Sequence, residues 1–203
     1  PDRPDEFTGY WPLDGGIARD ILAGMMGALT GPPSAITGQV VSALNFANTD
    51  YVVAPFAAAP TGASARTVAA WVKPTDTSGN YYIAGWGNGD NNAQAFYLQL
   101  RPGGQFALIS VGGSPTFDLY GVGGEATVGN TYFVVGTYDG TKARLYVNGS
   151  EEFNSPLTVA LNTQAGSLNI GRLNATTPVC CFKGAIDEIG VYRKALTASE
   201  VSA

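Results

Sequence analysis

Short stretches of alternating apolar residues, separated by turns rich in glycine and asparagine, are the feature of this sequence that most restricts its fold. In Phe96–Leu100 every second residue is a large apolar one, which places these side chains on one face of a strand. Ala143–Asn148 alternates in the same way and runs into Asn148-Gly149, a pair typical of the tight turn between two antiparallel strands, because both central residues of that turn need a positive φ. Strands this short, with no helical pattern between them, indicate a sandwich of antiparallel sheets.

The same pattern predicts most of the remaining strands. They are Ala43–Phe46, Tyr51–Val53, Thr67–Lys73, Tyr81–Gly85, Gln105–Val111, Tyr132–Tyr138, Leu168–Gly171 and Phe182–Tyr192. The segment Gly24–Gly38 is rich in glycine and proline and is expected to be a loop. Thr197, with Glu200 three residues later, predicts a capped helical turn near the C-terminus.

The last strand interrupts its own alternation. Ile186 and Ile189 both have the character of core residues, yet they are three positions apart and not two. A β-bulge at Asp187-Glu188 would bring both isoleucines to the core. Because bulges change the direction of side chains, Asp187 becomes a candidate functional residue.

Composition favours a single domain and excludes several classes of function. Of the 203 residues 45% are hydrophobic, enough for a sizeable core, whereas 13% are charged and the net charge is −5. No stretch is basic enough to neutralise nucleic-acid phosphates, so a neutral ligand or a cation is favoured. No apolar run approaches the roughly 18 residues of a membrane-spanning helix.

We expect one domain over residues 10–203, preceded by an N-terminal extension over residues 1–9. No charged linker, change of periodicity or internal repeat divides the chain. The first residues, Pro1–Glu6, do not resemble a secretion signal, and we expect the chain to have been trimmed from a longer precursor.

Catalysis by Ser-His-Asp or Cys-His machinery is excluded, since the chain has no histidine. Hydrolysis of sugars requires two carboxylates held about 5–9 Å apart. The adjacent Asp187 and Glu188 would point to opposite faces of a regular strand. We therefore expect a protein that is not an enzyme, although a lyase that uses tyrosine and arginine remains compatible with the composition.

The two cysteines, Cys180 and Cys181, are adjacent, which rules out a long-range disulfide within the chain. Three states remain open: two reduced thiols with at least one in the core, a strained disulfide between neighbours, or a bond to another chain. The cysteines alone do not identify the cellular compartment.

The segment that follows the strand at Tyr81 has the composition of a ligand site. Trp86 lies between two glycines and is followed by a cluster of asparagine and aspartate that could bind sugar hydroxyls: Asn88, Asp90, Asn91 and Asn92. Additional candidates are Tyr81, Arg101 and Tyr120. The alternative is that Trp86 ends a core strand; Trp11 and Trp71, which lie within strand patterns, are expected in the core.

Several motifs together resemble one known family. They are Tyr10-Trp11-Pro12-Leu13-Asp14, Ala43-Leu44-Asn45-Phe46, Asp50-Tyr51-Val52, Thr67–Pro74, Tyr132–Gly140, the hairpin Arg144-Leu145-Tyr146-Val147-Asn148-Gly149, and Gly184–Thr197. In order and spacing they resemble the bacterial laminin-G-like domains of the concanavalin A-like superfamily. The resemblance extends over nearly the whole chain and implies an antiparallel two-sheet jelly-roll sandwich. It does not by itself define a function, because that fold carries lectins, adhesion modules and enzymes.

The resemblance also implies a structural calcium ion close to the first and last strands. Asp14 and Asp187 match positions of the family that the resemblance implies are calcium ligands, and Asn45 could offer an amide oxygen. Calcium takes about six to eight oxygen ligands, some of them from backbone carbonyls and water. The alternative is that Asp14 begins a turn and Asp187 accepts backbone hydrogen bonds at its bulge. The Glu-x-Asp-x-x-Glu pattern of catalytic glycosidases in the superfamily is absent from the sequence.

From the resemblance we expect a non-catalytic module that binds carbohydrate and belongs to a larger secreted or cell-surface protein. The main alternative is an adhesion or structural module of a cell envelope or virion that binds a surface protein. The sequence leaves the identity of the ligand and the oligomeric state open.

Overall fold

The computed structural model describes residues 7–31, 33–47, 49–110, 119–120, 126–152, 157–177 and 181–202. Within these ranges it is built from strands, one short 3-10 turn at Asp14–Gly16 and one short helix. The strands are β1 Phe7–Trp11, β2 Ala28–Thr30, β3 Ser34–Thr37, β4 Ser42–Phe46, β5 Tyr51–Ala54, β6 Arg66–Pro74, β7 Tyr81–Gly87, β8 Ala95–Arg101, β9 Gln105–Ile109, β10 Leu119–Tyr120, β11 Tyr132–Tyr138, β12 Lys142–Val147, β13 Ser150–Glu151, β14 Leu157–Thr158, β15 Leu168–Ile170 and β16 Gly184–Tyr192. The helix α1 is Ala198–Val201.

The strands form two antiparallel sheets. Sheet A has the order β13-β12-β11-β6-β16-β4-β3, with β1 added beside β16 and β14 beside β12. Sheet B has the order β10-β9-β8-β7-β15-β5-β2. Strands distant in sequence are therefore neighbours in space, and the all-β sandwich predicted from the alternation is confirmed.

One apolar core lies between the sheets, and the alternating residues build it as expected. Phe96, Leu98 and Leu100 point inward from sheet B, and Leu145 and Val147 point inward from sheet A. Burying apolar side chains from both sheets in one layer is the main source of stability in such a sandwich.

Two predicted boundaries differ from the structure. The segment Gly24–Gly38, expected to be a loop, contains β2 and β3, which pair with β5 and β4 at the sheet edges. Their residues are exposed, so they gain ladder hydrogen bonds without the apolar alternation that identifies a buried strand. At the N-terminus β1 begins at Phe7, three residues before the predicted start of the domain, and pairs with β16.

Both local turn motifs form as predicted. Asn148 and Gly149 have φ of 50° and 82°, the positive values that the turn between β12 and β13 requires. The Thr197 side chain accepts a hydrogen bond from the Glu200 backbone N–H, and the Glu200 carboxylate accepts one from the Thr197 N–H, which completes the capping box of α1.

No helix within the described ranges is long and apolar enough to cross a membrane.

Candidate functional site

A β-bulge in the middle of β16 determines the geometry of the candidate site. One edge of β16 pairs with β4 as far as Ile186, and the same edge pairs with β1 from Ile189 onward. Its register with β6 shifts between Asp187 and Gly190, which confirms the bulge predicted from the spacing of the two isoleucines. Glu188 has a φ of 52°, a strained conformation for a residue with a side chain, and such strain often accompanies functional sites.

Asp187 lies on the outer face of sheet A, opposite Trp71 of β6. Its Oδ2 accepts hydrogen bonds from the backbone N–H groups of Gln39 (2.7 Å) and Val40 (3.1 Å). The loop before β4 must pass very close, because a Cβ at Gly38 would lie 2.5 Å from the same oxygen. The Oδ1 atom of Asp187 is buried and has no hydrogen-bond partner among the described residues.

Asp14 approaches the same region from the 3-10 turn. Its Oδ1 accepts hydrogen bonds from the backbone N–H (2.9 Å) and the hydroxyl (3.2 Å) of Ser42. Burial raises the pKa of Asp187, and the negative charge of Asp14 raises it further, although the N–H groups of the Gln39 loop lower it. The two predicted carboxylates are thus brought together, while Asn45 lies on β4, paired with Ala185.

A cavity of about 1110 Å³, here called the outer groove, lies on the outer face of sheet A. Aromatic side chains from four strands line it: Phe7, Tyr10, Trp71, Phe133 and Tyr192. Its rim is formed by Ile21 and Leu22, by Val40 of the loop that binds Asp187, by the β12–β13 turn and by α1. The groove thus joins segments that are far apart in the sequence.

Trp71 is the main correction to the sequence analysis, which placed it in the core. Val68, Ala70 and Val72 point into the core, so Trp71 must point outward, where it remains partly exposed. Its ring lies 5.0 Å from that of Phe133 on the neighbouring strand, tilted by 34°. The alternation in β6 contained this signal, because a strand cannot bury adjacent residues on one face. Trp11, the other tryptophan expected in the core, has no exposed area.

Glu188 provides the charged group of the outer groove. Burial raises the pKa of its carboxyl, and no donor from the described residues hydrogen-bonds to that carboxylate. An ionised carboxylate removed from water without a partner is unfavourable. Its placement in the groove therefore suits a group that is supplied by a ligand.

Glu200, the second carboxylate of the groove, is already engaged. It lies 2.8 Å from Lys194 and accepts a hydrogen bond from the Thr197 backbone N–H at 2.9 Å. The hydrogen bond from Lys194, followed by that backbone contact, lowers the pKa of Glu200 to about 2. Glu200 therefore closes the end of the groove as part of the helix cap, and Glu188 remains available.

The predicted sugar-stacking role of Trp86 is corrected by its burial. Trp86 has no exposed area, its Nε1 donates to the Pro60 carbonyl at 2.8 Å, and its ring packs edge-on against Phe56. A ring without exposed area offers no face to a ligand. Trp86 is the core-capping residue that the alternative interpretation described.

The polar cluster after Trp86 is a tightly bonded turn at the surface. Asn88 accepts from the Asp90 N–H at 2.9 Å, and Asp90 accepts from the backbone and the hydroxyl of Thr176. Asn91 and Asn92 are exposed. This loop stays a predicted ligand site without an aromatic platform.

The remaining sequence candidates are dispersed. Tyr81 is buried and donates its hydroxyl to Asp76 at 2.8 Å, and Arg101 is partly exposed at the end of β8. The side chain of Tyr120 lies outside the described residues. Cys181 is buried and disulfide-bonded, and the other cysteine, Cys180, lies outside the described residues.

Two antiparallel sheets over one core, with an aromatic groove on the outer face, define this protein as a jelly-roll β-sandwich. The chain belongs to the concanavalin A-like lectin/glucanases superfamily, because the Laminin_G_3 family model matches residues 46–202. No curated protein matches the sequence significantly.

Solved structures show the same fold at low sequence identity. Domain 4 of AbnA, an extracellular arabinanase from Geobacillus stearothermophilus in complex with arabinotriose, superimposes with a TM-score of 0.76 at 22% identity and 97% coverage of both chains. A Trypanosoma rangeli sialidase mutant has a TM-score of 0.71 at 17% identity, over 99% of this chain and 33% of its own. The binding domain of Paraclostridial Mosquitocidal Protein 1 has a TM-score of 0.71 at 12% identity, over 98% of this chain and 51% of its own.

Proposed function

We propose that this domain is a non-catalytic carbohydrate-binding module of a larger secreted or surface protein, and that the outer groove is its sugar site. The observation that carries the proposal is the Glu188 carboxylate, which has no hydrogen-bond or ion-pair partner among the described residues and lies in the same groove as the partly exposed ring of Trp71. An aromatic face and a free acceptor are the two groups needed to bind the apolar face and the hydroxyls of a sugar.

The groove has the size and the surroundings for an oligosaccharide. Its volume of about 1110 Å³ exceeds the roughly 300–1,000 Å³ typical of pockets for drug-sized ligands. The exposed Asn148, Ser150 and Ser202 add polar groups at its rim. The bound arabinotriose of the structurally similar arabinanase domain supports a sugar as the ligand class.

Two features support the non-catalytic and extracellular parts of the proposal. Asp187 is held by backbone N–H groups while Glu188 faces the groove, so the two carboxylates do not form an acid and base pair around one ligand. Cys181 is disulfide-bonded, and disulfides persist mainly in oxidising compartments.

The test is binding of a panel of soluble glycans to the isolated domain by calorimetry. We expect at least one glycan to bind, Trp71→Ala to weaken it by about tenfold or more, and no reducing ends to be released. Asp90→Asn, in the loop predicted from the sequence, should leave binding unchanged. Loss of binding in Asp90→Asn with full binding in Trp71→Ala would move the site to that loop, and sugar release would refute the non-catalytic assignment. Circular dichroism of each variant checks the fold.

We also propose a structural calcium ion between Asp14 and Asp187. The buried Oδ1 of Asp187 has no partner in the described residues, and the neighbouring Asp14 adds a second negative charge. Carboxylates are hard oxygen donors of the kind that calcium prefers, and Asn45 on the adjacent strand β4 is the predicted source of an additional amide oxygen. When bound, the ion would neutralise both charges and fix the loop that forms the groove rim at Val40.

Calcium should therefore stabilise the domain measurably. At a concentration about a hundredfold above its Kd, we expect the melting temperature to rise by about 5–10 °C relative to excess chelator. In Asp187→Asn this difference should disappear. Superimposable melting curves of the wild-type domain in calcium and in chelator would show that there is no site.

A second candidate function, protein contact, is favoured by a specific surface. The segment before β4 exposes several large apolar side chains: Ile17, Ile21, Leu22, Met25, Met26, Ile36, Val40 and Val41. Apolar side chains concentrated in one exposed segment are typical of an interaction surface. Light scattering tests self-association through this surface: a dimer that dissociates in Met26→Glu would support the second function, and a monomer at high concentration would count against self-association.

A further inference from the structure

The charges of the outer groove are unbalanced. Of its two carboxylates, Glu200 is paired with Lys194, whereas Glu188 has no partner among the described residues. None of the described residues that line the groove is a lysine or an arginine. Within the part of the chain that the structure describes, the groove thus presents one negative charge without a neutralising side chain.

The surroundings of Glu188 strengthen its interaction with a cation more than with a neutral hydroxyl. Partial burial removes water that would screen the charge. The faces of aromatic rings also attract cations, and five aromatic side chains line the groove. A neutral sugar hydroxyl can donate one hydrogen bond to the carboxylate, while a protonated amine adds full charge attraction and contacts with the ring faces.

The backbone holds this carboxylate in place through a conformation that is itself energetically unfavourable. Glu188 adopts a left-handed φ at the bulge, and the flanking Ile186 and Ile189 are fully buried and fix the strand on either side. The carboxylate is therefore positioned before a ligand arrives. A bound cation would offset the unfavourable free energy of burying the carboxylate charge.

We propose that the outer groove selects amino sugars that carry a free, protonated amine over their N-acetylated counterparts, with the ammonium group on Glu188 and the sugar ring on Trp71 and Phe133. This inference rests on the proposed carbohydrate-binding function and specifies its ligand class. The low fraction of charged residues, 13%, and the net charge of −5 are both compatible with a cationic ligand.

The experiment compares glucosamine and N-acetylglucosamine oligosaccharides of equal length by calorimetry, at a pH below the pKa of the sugar amine. We expect the free-amine form to bind about tenfold or more tightly, the magnitude of one charge-assisted hydrogen bond. In Glu188→Gln the ratio of the two affinities should fall to about one, with circular dichroism confirming the fold. Glu151→Gln, which removes an equal charge from an exposed residue outside the groove lining, should keep the wild-type ratio.

The outcomes separate the two proposals. Equal affinities of the wild-type domain for both oligosaccharides would refute the amine preference and leave carbohydrate binding intact. A ratio that falls equally in Glu151→Gln and Glu188→Gln would also refute it, because the preference would then reflect general charge attraction. If neither oligosaccharide binds, the amine preference is wrong, and the broader glycan panel decides whether the proposed function also fails.

Discussion

Arg66 shows how a single residue can organise a loop from inside the core. It is fully buried, and its guanidinium donates to the carbonyls of Ser64, Pro60, Thr61 and Gly62 at 2.7–3.3 Å. Burial lowers its pKa to about 10, so it still carries its charge at neutral pH. The planar fork satisfies several carbonyls at once, which a lysine cannot do in the same geometry.

Removing this guanidinium should therefore destabilise the whole domain. In Arg66→Met the carbonyls of the loop lose their donors, and we expect the free energy of unfolding to fall by about 2–5 kcal/mol. Arg66→Lys should recover part of the loss, since it keeps the charge and one donor nitrogen. Urea denaturation measures both effects. An unchanged midpoint in Arg66→Met would show that the loop binds water as well as it binds the guanidinium.

At the scale of elements, the sequence contained more information about strands than about the faces that they expose. Alternation located β8, β11 and β12 because each strand buries one face in the core. The spacing of Ile186 and Ile189 also predicted the bulge, since apolar residues reveal where a strand must change register. The exposed edge strands were missed because they bury nothing, and Trp71 was misplaced because its hydrophobic character outweighed its position in the alternation.

The helix α1 depends on its cap because it is too short to be stable alone. Leu196 and Val201 pack on Tyr146 and Tyr192, which covers part of sheet A and forms one end of the outer groove. The hydroxyl of Ser202 also donates to the Gly149 carbonyl at 3.0 Å, linking the end of the helix to the β12–β13 turn.

Loss of the cap should weaken this end of the domain. We expect Thr197→Ala to lower the free energy of unfolding by about 1 kcal/mol, and Thr197→Ser to retain most of it because the hydroxyl remains. Urea denaturation gives the global effect, and hydrogen exchange of the Val201 amide reports local opening of the helix. If neither measurement distinguishes alanine from serine, packing and not the capping box holds α1.

At the scale of the whole molecule, the candidate site arises from chain topology. The outer groove combines β1, β6, β11 and β16, strands that are neighbours only because sheet A places them side by side. No sequence window contains these residues together, whereas the polar cluster predicted as the ligand site lies within a few residues of Trp86. Asp14 and Asp187, two of the three predicted metal ligands, could be named despite their separation in sequence because the family resemblance marked each position independently; their metal-binding role stays a prediction.

The pH dependence of stability should reveal the cost of placing Glu188 in the groove. The chain has no histidine, and the described carboxyls with lowered pKa, Asp76, Asp139 and Glu200, are ionised in both the folded and the unfolded state above about pH 5. The pKa of Glu188 is raised by burial, so the folded state holds this proton more tightly than the unfolded state, and stability falls as the pH rises above the ordinary value of 4.5.

Glu188→Gln removes this penalty, and the difference between the two proteins isolates it. We expect the melting temperature of the variant, measured in chelator from about pH 4 to 8, to exceed that of the wild-type domain by an amount that grows as Glu188 ionises and then stays constant. Glu151→Gln serves as the control, because its carboxylate is paired with Arg144 at 2.7 Å and should show no such gain. A difference that is independent of pH, or one in which the wild-type domain gains on the variant as the pH rises, would mean that Glu188 has a partner in the folded state and that the groove does not hold an uncompensated charge.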